Sequence, residues 1–312
     1  MARLLVIRFS ALGDLASTAP FIRSFAPHHQ ITLFTSPLGG EYFRGEGCLS
    51  DILVLNNKKV STLLKNLPRI FSSYDYFIDL HGNDRSKLCS LFTRAEVLSN
   101  YVKGFSERIP EGELARYAKP GSACQFDYFS IPSMLPGYEF KPERFKKKPK
   151  DYIVINAGSS EKWKSKRLSV EKWSEILREL LERYDLPFLF TGSGNETDYI
   201  IDLAKRLPGE NEVVAGKTSL SELKHILRQA YLTISTDSGP MHISAVERTP
   251  TIGLFGATNW IRSAPYGPWS TVAYDYTRYS TGEPPVRMIQ TPGDYYKNID
   301  ISMALSEIDN FL

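Results

Sequence analysis

The feature that most constrains this chain is a repeated switch between two periods. Short β-rich runs, "RLLVIRF" (3–9), "ITLFT" (31–35), "DILVL" (51–55) and "YDYFIDL" (74–80), alternate with helical patterns over 14–25 and 60–72. Strands that alternate with helices build βαβ units around a mostly parallel sheet. "FKPERFKKKPKD" (140–151) then breaks the pattern with prolines and a basic run, and reads as a linker. Beyond it the alternation restarts. "YIVINAG" (152–158) is a strand entering a turn, and "SVEKWSEILRELLERY" (169–184) is an amphipathic helix. "LPFLFTGSGNE" (186–196) is a strand and turn leading into a helix to about Leu207. "SLSELKHILRQA" (219–230) is a helix, "YLTISTDSG" (231–239) and "TPTIGLFG" (249–256) are strands, and "DISMALSEIDNFL" is a terminal helix. A chain of 312 residues also exceeds one ordinary core and suits two domains of roughly 150 residues. The expected architecture is two doubly wound α/β domains, residues 1–145 and 151–312, facing a central cleft. The terminal helix is left free to pack back on the first domain.

Composition narrows the class. Hydrophobic residues at 42% and charged residues at 23% are those of a globular chain. The start resembles no signal peptide, because Arg8 interrupts the apolar run Leu4 to Ile7. No apolar stretch approaches the roughly 20 residues that span a bilayer. Cys48, Cys89 and Cys124 are widely spaced and odd in number, which excludes a disulfide framework and a Cys-x-x-Cys metal knot. Reduced thiols in a cytosolic protein are expected. Net charge is uneven: residues 1–150 hold 21 Lys and Arg against 14 Asp and Glu, the remainder 17 against 21. The first half is thereby suited to an anionic partner, against the plainer reading of a solvated basic surface.

Open α/β sheets bind ligands at the carboxyl ends of their strands, so the turns there matter most. "RFSALGDLASTAP" (8–20) carries one acid, Asp14, behind Gly13. Its plain reading is a helix cap, without a reciprocal box because Ser17 stands three residues on. In "STDSGPMH" (235–242), Asp237, Ser238 and Gly239 form a polar turn and Pro240 opens a helix, with His242 a turn in. Such a helix start offers N–H groups and a positive dipole end to phosphate, the alternative being a capped helix with a surface His. "NAGSSEKWKSKRLS" (156–169) places Gly158, Ser159 and Ser160 before a lysine-rich stretch, a phosphate grip or a solvated charge run. "TGSGNE" (191–196) begins like a dinucleotide fingerprint, but Thr197 replaces the third glycine and the first βαβ unit lacks the motif. Glu196 suits a ribose hydroxyl pair. "DLHGNDRS" (79–86) offers His81, Asn83 and Arg85 to a sugar or an acid, or forms a satisfied loop.

No Gly-x-Ser-x-Gly elbow, Walker loop or His-Glu-x-x-His helix occurs, and the five histidines lack metal-ligand spacing. "VIRFSALGDLASTAP" followed much later by "STDSGPMHISAVERTPTIGLFGAT" resembles the ADP-heptose:lipopolysaccharide heptosyltransferases, glycosyltransferase family 9. "YDYFIDLHGNDRS" and "NAGSSEKWKSKRLS" match that family's intermediate motifs, so the resemblance runs over most of the chain. It implies the GT-B fold of two Rossmann-like domains, with acceptor in the first and nucleotide sugar in the second. It further implies an inverting transfer without a metal ion or other cofactor.

By this resemblance Asp14 is the catalytic base, and Lys166 holds the donor diphosphate and assists catalysis. Gly13, Ser159, Ser160, Glu196, Thr218, Asp237, Ser238, Gly239 and His242 bind the donor. Arg8, Ser10, His81, Asn83 and Arg85 bind the acceptor. The expected partners are ADP-heptose and an anionic lipopolysaccharide core or lipid A acceptor. The expected form is a monomeric cytoplasmic protein at the inner face of the inner membrane, with no nucleic-acid partner. Three departures bear on the sugar and acceptor: Asn156-Ala157 stands for a usual His-Pro, Leu168 for a usual Trp, and a C-terminal cysteine-rich motif is missing. Rival readings are a GT-B transferase using another nucleotide sugar, a non-catalytic nucleotide-binding protein, and a dinucleotide-dependent oxidoreductase.

Overall fold

Leu4, Leu5, Val6 and Ile7 are fully buried, so the first apolar run is a strand covered on both faces. Burying each such side chain contributes roughly 1.5–3 kcal/mol. The computed structural model describes residues 1–56, 68–71, 73–108, 110–117, 128–159, 161–291 and 293–312. The chain divides into two units, Met1–Glu143 and Arg144–Leu312, with the division inside the Pro- and Lys-rich segment. No helix among the described residues is long and apolar enough to cross a membrane.

The first unit holds β1 (Ala2–Arg8), β2 (His29–Thr35), β3 (Asp51–Val54), β4 (Tyr76–Asp79) and β5 (Glu96–Ser99). They form one sheet in the order β3-β2-β1-β4-β5, and every pairing is parallel. Its helices include α1 (Leu12–Phe25), α2 (Pro37–Tyr42) and α3 (Asp84–Ser90). The helix expected over 60–72 falls largely outside the described residues; 68–70 are helical. β5 is an element the sequence reading did not anticipate. It is an edge strand of four residues with an exposed Glu96, too short to show a period.

The second unit holds β6 (Ile153–Asn156), β7 (Phe188–Phe190), β8 (Asn211–Val213), β9 (Leu232–Thr236), β10 (Thr251–Phe255) and β11 (Ser270–Tyr274). The order is β11-β10-β9-β6-β7-β8, again all parallel. Its helices are α4 (Val170–Tyr184), α5 (Thr197–Lys205), α6 (Leu220–Gln229), α7 (Gly239–Val246), α8 (Trp260–Ser263) and α9 (Ser302–Ile308). Ser169 accepts the Lys172 N–H to start α4, and Asp185 ends that helix in the left-handed region. α6 starts on a reciprocal box between Ser219 and Glu222. Trp173, Ile176, Leu177 and Leu180 of α4 join Ile153 and Ile155 in the core. Ala304, Leu305 and Ile308 of α9 join the same core, so the terminal helix is part of the second unit. β8 and β11 were not anticipated either.

Each sheet changes winding direction at one place, and that place positions the site. In the first unit it lies between β1 and β4; in the second it lies between β6 and β9. The crevice outside the strand carboxyl ends at such a point is where open α/β sheets take ligands.

Candidate functional site

In the first unit, β1 ends at Arg8 and α1 begins at Leu12. The cap position is Ala11, so Asp14 is the third helical residue and not the cap. Its Oδ2 reaches back to accept the Ala11 N–H at 2.8 Å, half of a reciprocal box whose other half an alanine cannot supply. Gly13, expected at the donor, is the second residue of α1. Arg8 Nη2 lies 2.6 Å from the same Asp14 oxygen, with the two side chains 12% and 29% exposed. Arg8 Nη1 donates to the Leu80 carbonyl at 2.5 Å, and the guanidinium sits over the Tyr128 ring at 5.3 Å.

The turn after β4 is held from below by Asp79, a fully buried carboxylate that the sequence reading passed over. Its Oδ1 accepts the His81 and Gly82 N–H groups at 2.8 and 3.0 Å, and its Oδ2 accepts the Tyr101 hydroxyl at 2.8 Å. Gly82 adopts φ +65°, which the bend requires and most side chains resist. Asn83 caps α3 by accepting the Arg85 and Ser86 N–H groups. The signal for Asp79 was available: an acid ending an apolar strand just before His-Gly.

A cavity of about 540 Å³ opens at this edge. Ser10, His81, Asn83 and Arg85, four of the five expected acceptor contacts, line it with Phe9 and Asn56. The fifth, Arg8, is not in the lining and is turned to Asp14 and Leu80. Burial pushes the His81 imidazole down to about 4, helped by the neighbouring Arg8, so the ring is neutral at pH 7. Its edge contact with Phe9, centroids 5.2 Å apart, fixes its tilt.

In the second unit the turn after β6 and the turn after β9 are tied together. Lys166 Nζ lies 3.0 Å from Asp237 Oδ2 and donates to the Asp237 carbonyl at 2.8 Å. Thr236 Oγ1 donates to the Gly158 carbonyl at 2.7 Å. Asn156, at the end of β6, donates to the Ser235 and Ser238 hydroxyls at 3.1 and 2.8 Å. This amide is therefore a buried hub beneath both turns, and the sequence reading had marked it only as a departure. Ser238 occupies the cap position of α7 but its hydroxyl makes no cap bond; Pro240 is the second helical residue, not the first. The first turn of α7 thus keeps N–H groups for an anion. His242 is half-buried, the fourth residue of α7.

Ser159 lies on this edge, although its hydroxyl is given to the Trp163 carbonyl at 2.8 Å. Ser160 lies outside the described residues. Glu196 Oε2 accepts from the Ser193 N–H and hydroxyl at 2.8 and 2.5 Å. A Cβ on Gly158 would come within 2.4 Å of Glu196 Oε1, so a side chain there would push this carboxylate aside. The Gly216 N–H donates to the Gly192 carbonyl at 3.0 Å, which draws the segment leading to half-buried Thr218 alongside the Glu196 turn. A larger cavity of about 850 Å³ beside β7 and β8 is lined by none of these residues. It lies away from the switch point between β6 and β9, at the edge of the sheet, so the strand-end turns are the better candidate.

Comparison with known proteins converges on one family. The model of glycosyltransferase family 9 (heptosyltransferase) matches residues 97–282. The lipopolysaccharide core heptosyltransferase OpsX of Haemophilus influenzae is 24% identical over 304 residues, covering 88% of this chain and 84% of that protein. A family 9 glycosyltransferase of Veillonella parvula superposes with TM-score 0.71 at 19% identity, covering 90% of this chain and 88% of that one. The Escherichia coli heptosyltransferase WaaC, solved with ADP, superposes with TM-score 0.66 at 16% identity, covering 99% and 100%.

Proposed function

Because the chain belongs to glycosyltransferase family 9, the heptosyltransferases, we propose that it moves heptose from ADP-heptose to a lipopolysaccharide inner-core acceptor with inversion. What carries the reading is that each sheet holds one half of the chemistry at its switch point: Asp14 beside Arg8 in the first unit, and Lys166 with Asp237 at the start of α7 in the second.

An acceptor hydroxyl seated by the first unit's cavity attacks the anomeric carbon opposite the diphosphate. As the new C–O bond forms, Asp14 takes the hydroxyl proton and the bond to phosphate breaks, releasing ADP. Lys166 and the N–H groups of α7 stabilise the charge that grows on the leaving diphosphate, so no metal ion is assigned to that task. Gly158 and Ser159 bring backbone close to the diphosphate, Glu196 takes the ribose hydroxyls, and Thr218 borders the adenine. Arg85, Asn83, Ser10 and neutral His81 contact the acceptor. The enzyme works at the membrane surface, where its lipid-borne acceptor resides.

Mass spectrometry of inner-core acceptor fragments incubated with ADP-heptose tests this. A product heavier by one heptose, formed equally well in EDTA, is the expected result. Transfer only from a UDP- or GDP-sugar, or activity lost in EDTA and restored by Mg²⁺ or Mn²⁺, overturns the donor or the metal-free mechanism respectively.

A further inference from the structure

We propose that Arg8 is a positioning residue for Asp14, fixing its carboxylate and tying it to the turn that lines the first unit's cavity. The proposal rests on reading Asp14 as the base. Arg8 ends β1, and the parallel register pairs Ile7 with Asp79, so one step further on Arg8 stands beside Leu80. Its side chain is 12% exposed, and the guanidinium is engaged from three separate segments: Asp14 Oδ2 on α1, the Leu80 carbonyl after β4, and the Tyr128 ring. The Arg8 carbonyl is held in turn by the Thr35 hydroxyl at 2.5 Å, which fixes the backbone from which the side chain departs.

Only a planar fork with several N–H donors meets a carboxylate and a carbonyl at once while lying over a ring. A lysine would supply the charge without that geometry. Held by an ion pair and a carbonyl hydrogen bond at once, the guanidinium fixes the direction as well as the charge that the carboxylate meets. Leu80 directly precedes His81, a cavity residue, and the backbone of that turn is pinned by Asp79. Arg8 therefore connects the base to the wall of the cavity through two bonds, and a shift of the wall is passed to the carboxylate.

The test compares Arg8→Met and Arg8→Lys with Asp14→Asn, reading kcat, both KM values and the pH profile of kcat. Arg8→Met should lower kcat about 10- to 100-fold with both KM values within about 2-fold. Its acid limb should move upward, because the carboxylate has lost the cation beside it. Arg8→Lys should return that limb to the wild-type position while kcat stays low. A raised acceptor KM at unchanged kcat would make Arg8 a substrate contact instead. A lowered kcat with an unmoved limb in Arg8→Met would make its role structural. Should Arg8→Met not fold, wild-type kcat in Arg8→Lys overturns the proposal by itself. If Asp14→Asn turns over normally, the base assignment falls and this proposal with it. If Asp14→Asn is inactive while the Arg8 variants behave as wild type, only this proposal falls.

Discussion

The two units use one design, a parallel doubly wound sheet with functional turns at its switch point, and fill it with opposite chemistry. In the first unit the turns leave a cavity of about 540 Å³ whose lining, among the described residues, holds one formal charge, Arg85, beside a neutral His81. In the second unit the turns are knitted together by Thr236, Asn156 and the Lys166–Asp237 pair. An acceptor must be seated as a whole sugar, which asks for room. A diphosphate must be met by N–H groups and a cation at short range, which asks for a closed mesh of turns. Under the proposed function, the shared fold gives each ligand its place and the turn residues set which ligand it is.

The comparison breaks hardest at Asp14. Asp14→Asn keeps an oxygen for the Ala11 N–H but cannot take a proton, so turnover should fall about 10²-fold or more. Donor affinity, measured by calorimetry with ADP-heptose, should be unaffected; normal turnover in a folded variant would reduce Asp14 to a helix-start residue. Next in size is Lys166→Ala, which removes the cation and leaves the Asp237 carboxylate, 11% exposed, facing the diphosphate. ADP binding should weaken about 10- to 100-fold. Lys162→Ala and Lys164→Ala, at exposed positions, should do far less; equal effects at all three would mean a diffuse basic surface and no grip.

A smaller effect separates the units by pH. His81 is held near 4 in the folded protein against 6.5 unfolded, so the unfolded chain binds more protons between those values. The stability from its neutral form is complete above pH 6.5 and is lost as pH falls toward about 4. Between pH 7 and 4.5 the wild type should lose about 1–3 °C of Tm that His81→Asn does not lose, since the site is partly solvated. Parallel melting curves would remove His81 from the argument. Smallest is the response to salt. The Debye length shrinks from roughly 10 Å at 0.1 M to 3 Å at 1 M. Acceptor KM should rise more than donor KM, and Arg85→Gln should reproduce the effect at low salt. Lys58 and Lys59, a second basic site to neutralise in the same test, lie outside the described residues. A parallel rise in both KM values would deny the cavity an anionic ligand.

The strand-end turns were legible in the sequence because a βα turn is local: an apolar run, a Gly or Ser, then a helical period. Asp14, Asp237 and Arg85 could be picked out on that basis, whereas Lys166 was singled out from its lysine-rich stretch only by the family resemblance. The edge strands could not. β8 has three residues, and β11 opens with Ser270 and Thr271, whose buried hydroxyls are satisfied by the Tyr266 carbonyl and the Glu307 carboxylate. No apolar run marks such a strand. The register of α1 was also missed by three residues, because the cap is Ala11, a residue without a capping side chain. The engagement of Arg8 with Asp14 depends on how strand, turn and helix fold back on one another. A spacing of six residues announces nothing of the kind.

The Lys166–Asp237 pair also bears on timing. The Asp237 carboxylate lies 3.0 Å from the lysine, so under the proposed function a diphosphate takes Lys166 by exchange rather than by simple addition. The same exchange runs in reverse after transfer: as ADP loosens, the Asp237 carboxylate stands ready to reclaim the lysine. Under the same reading, an internal competitor of this kind weakens ground-state affinity for the spent nucleotide and shortens its residence, favouring rapid turnover over tight product binding.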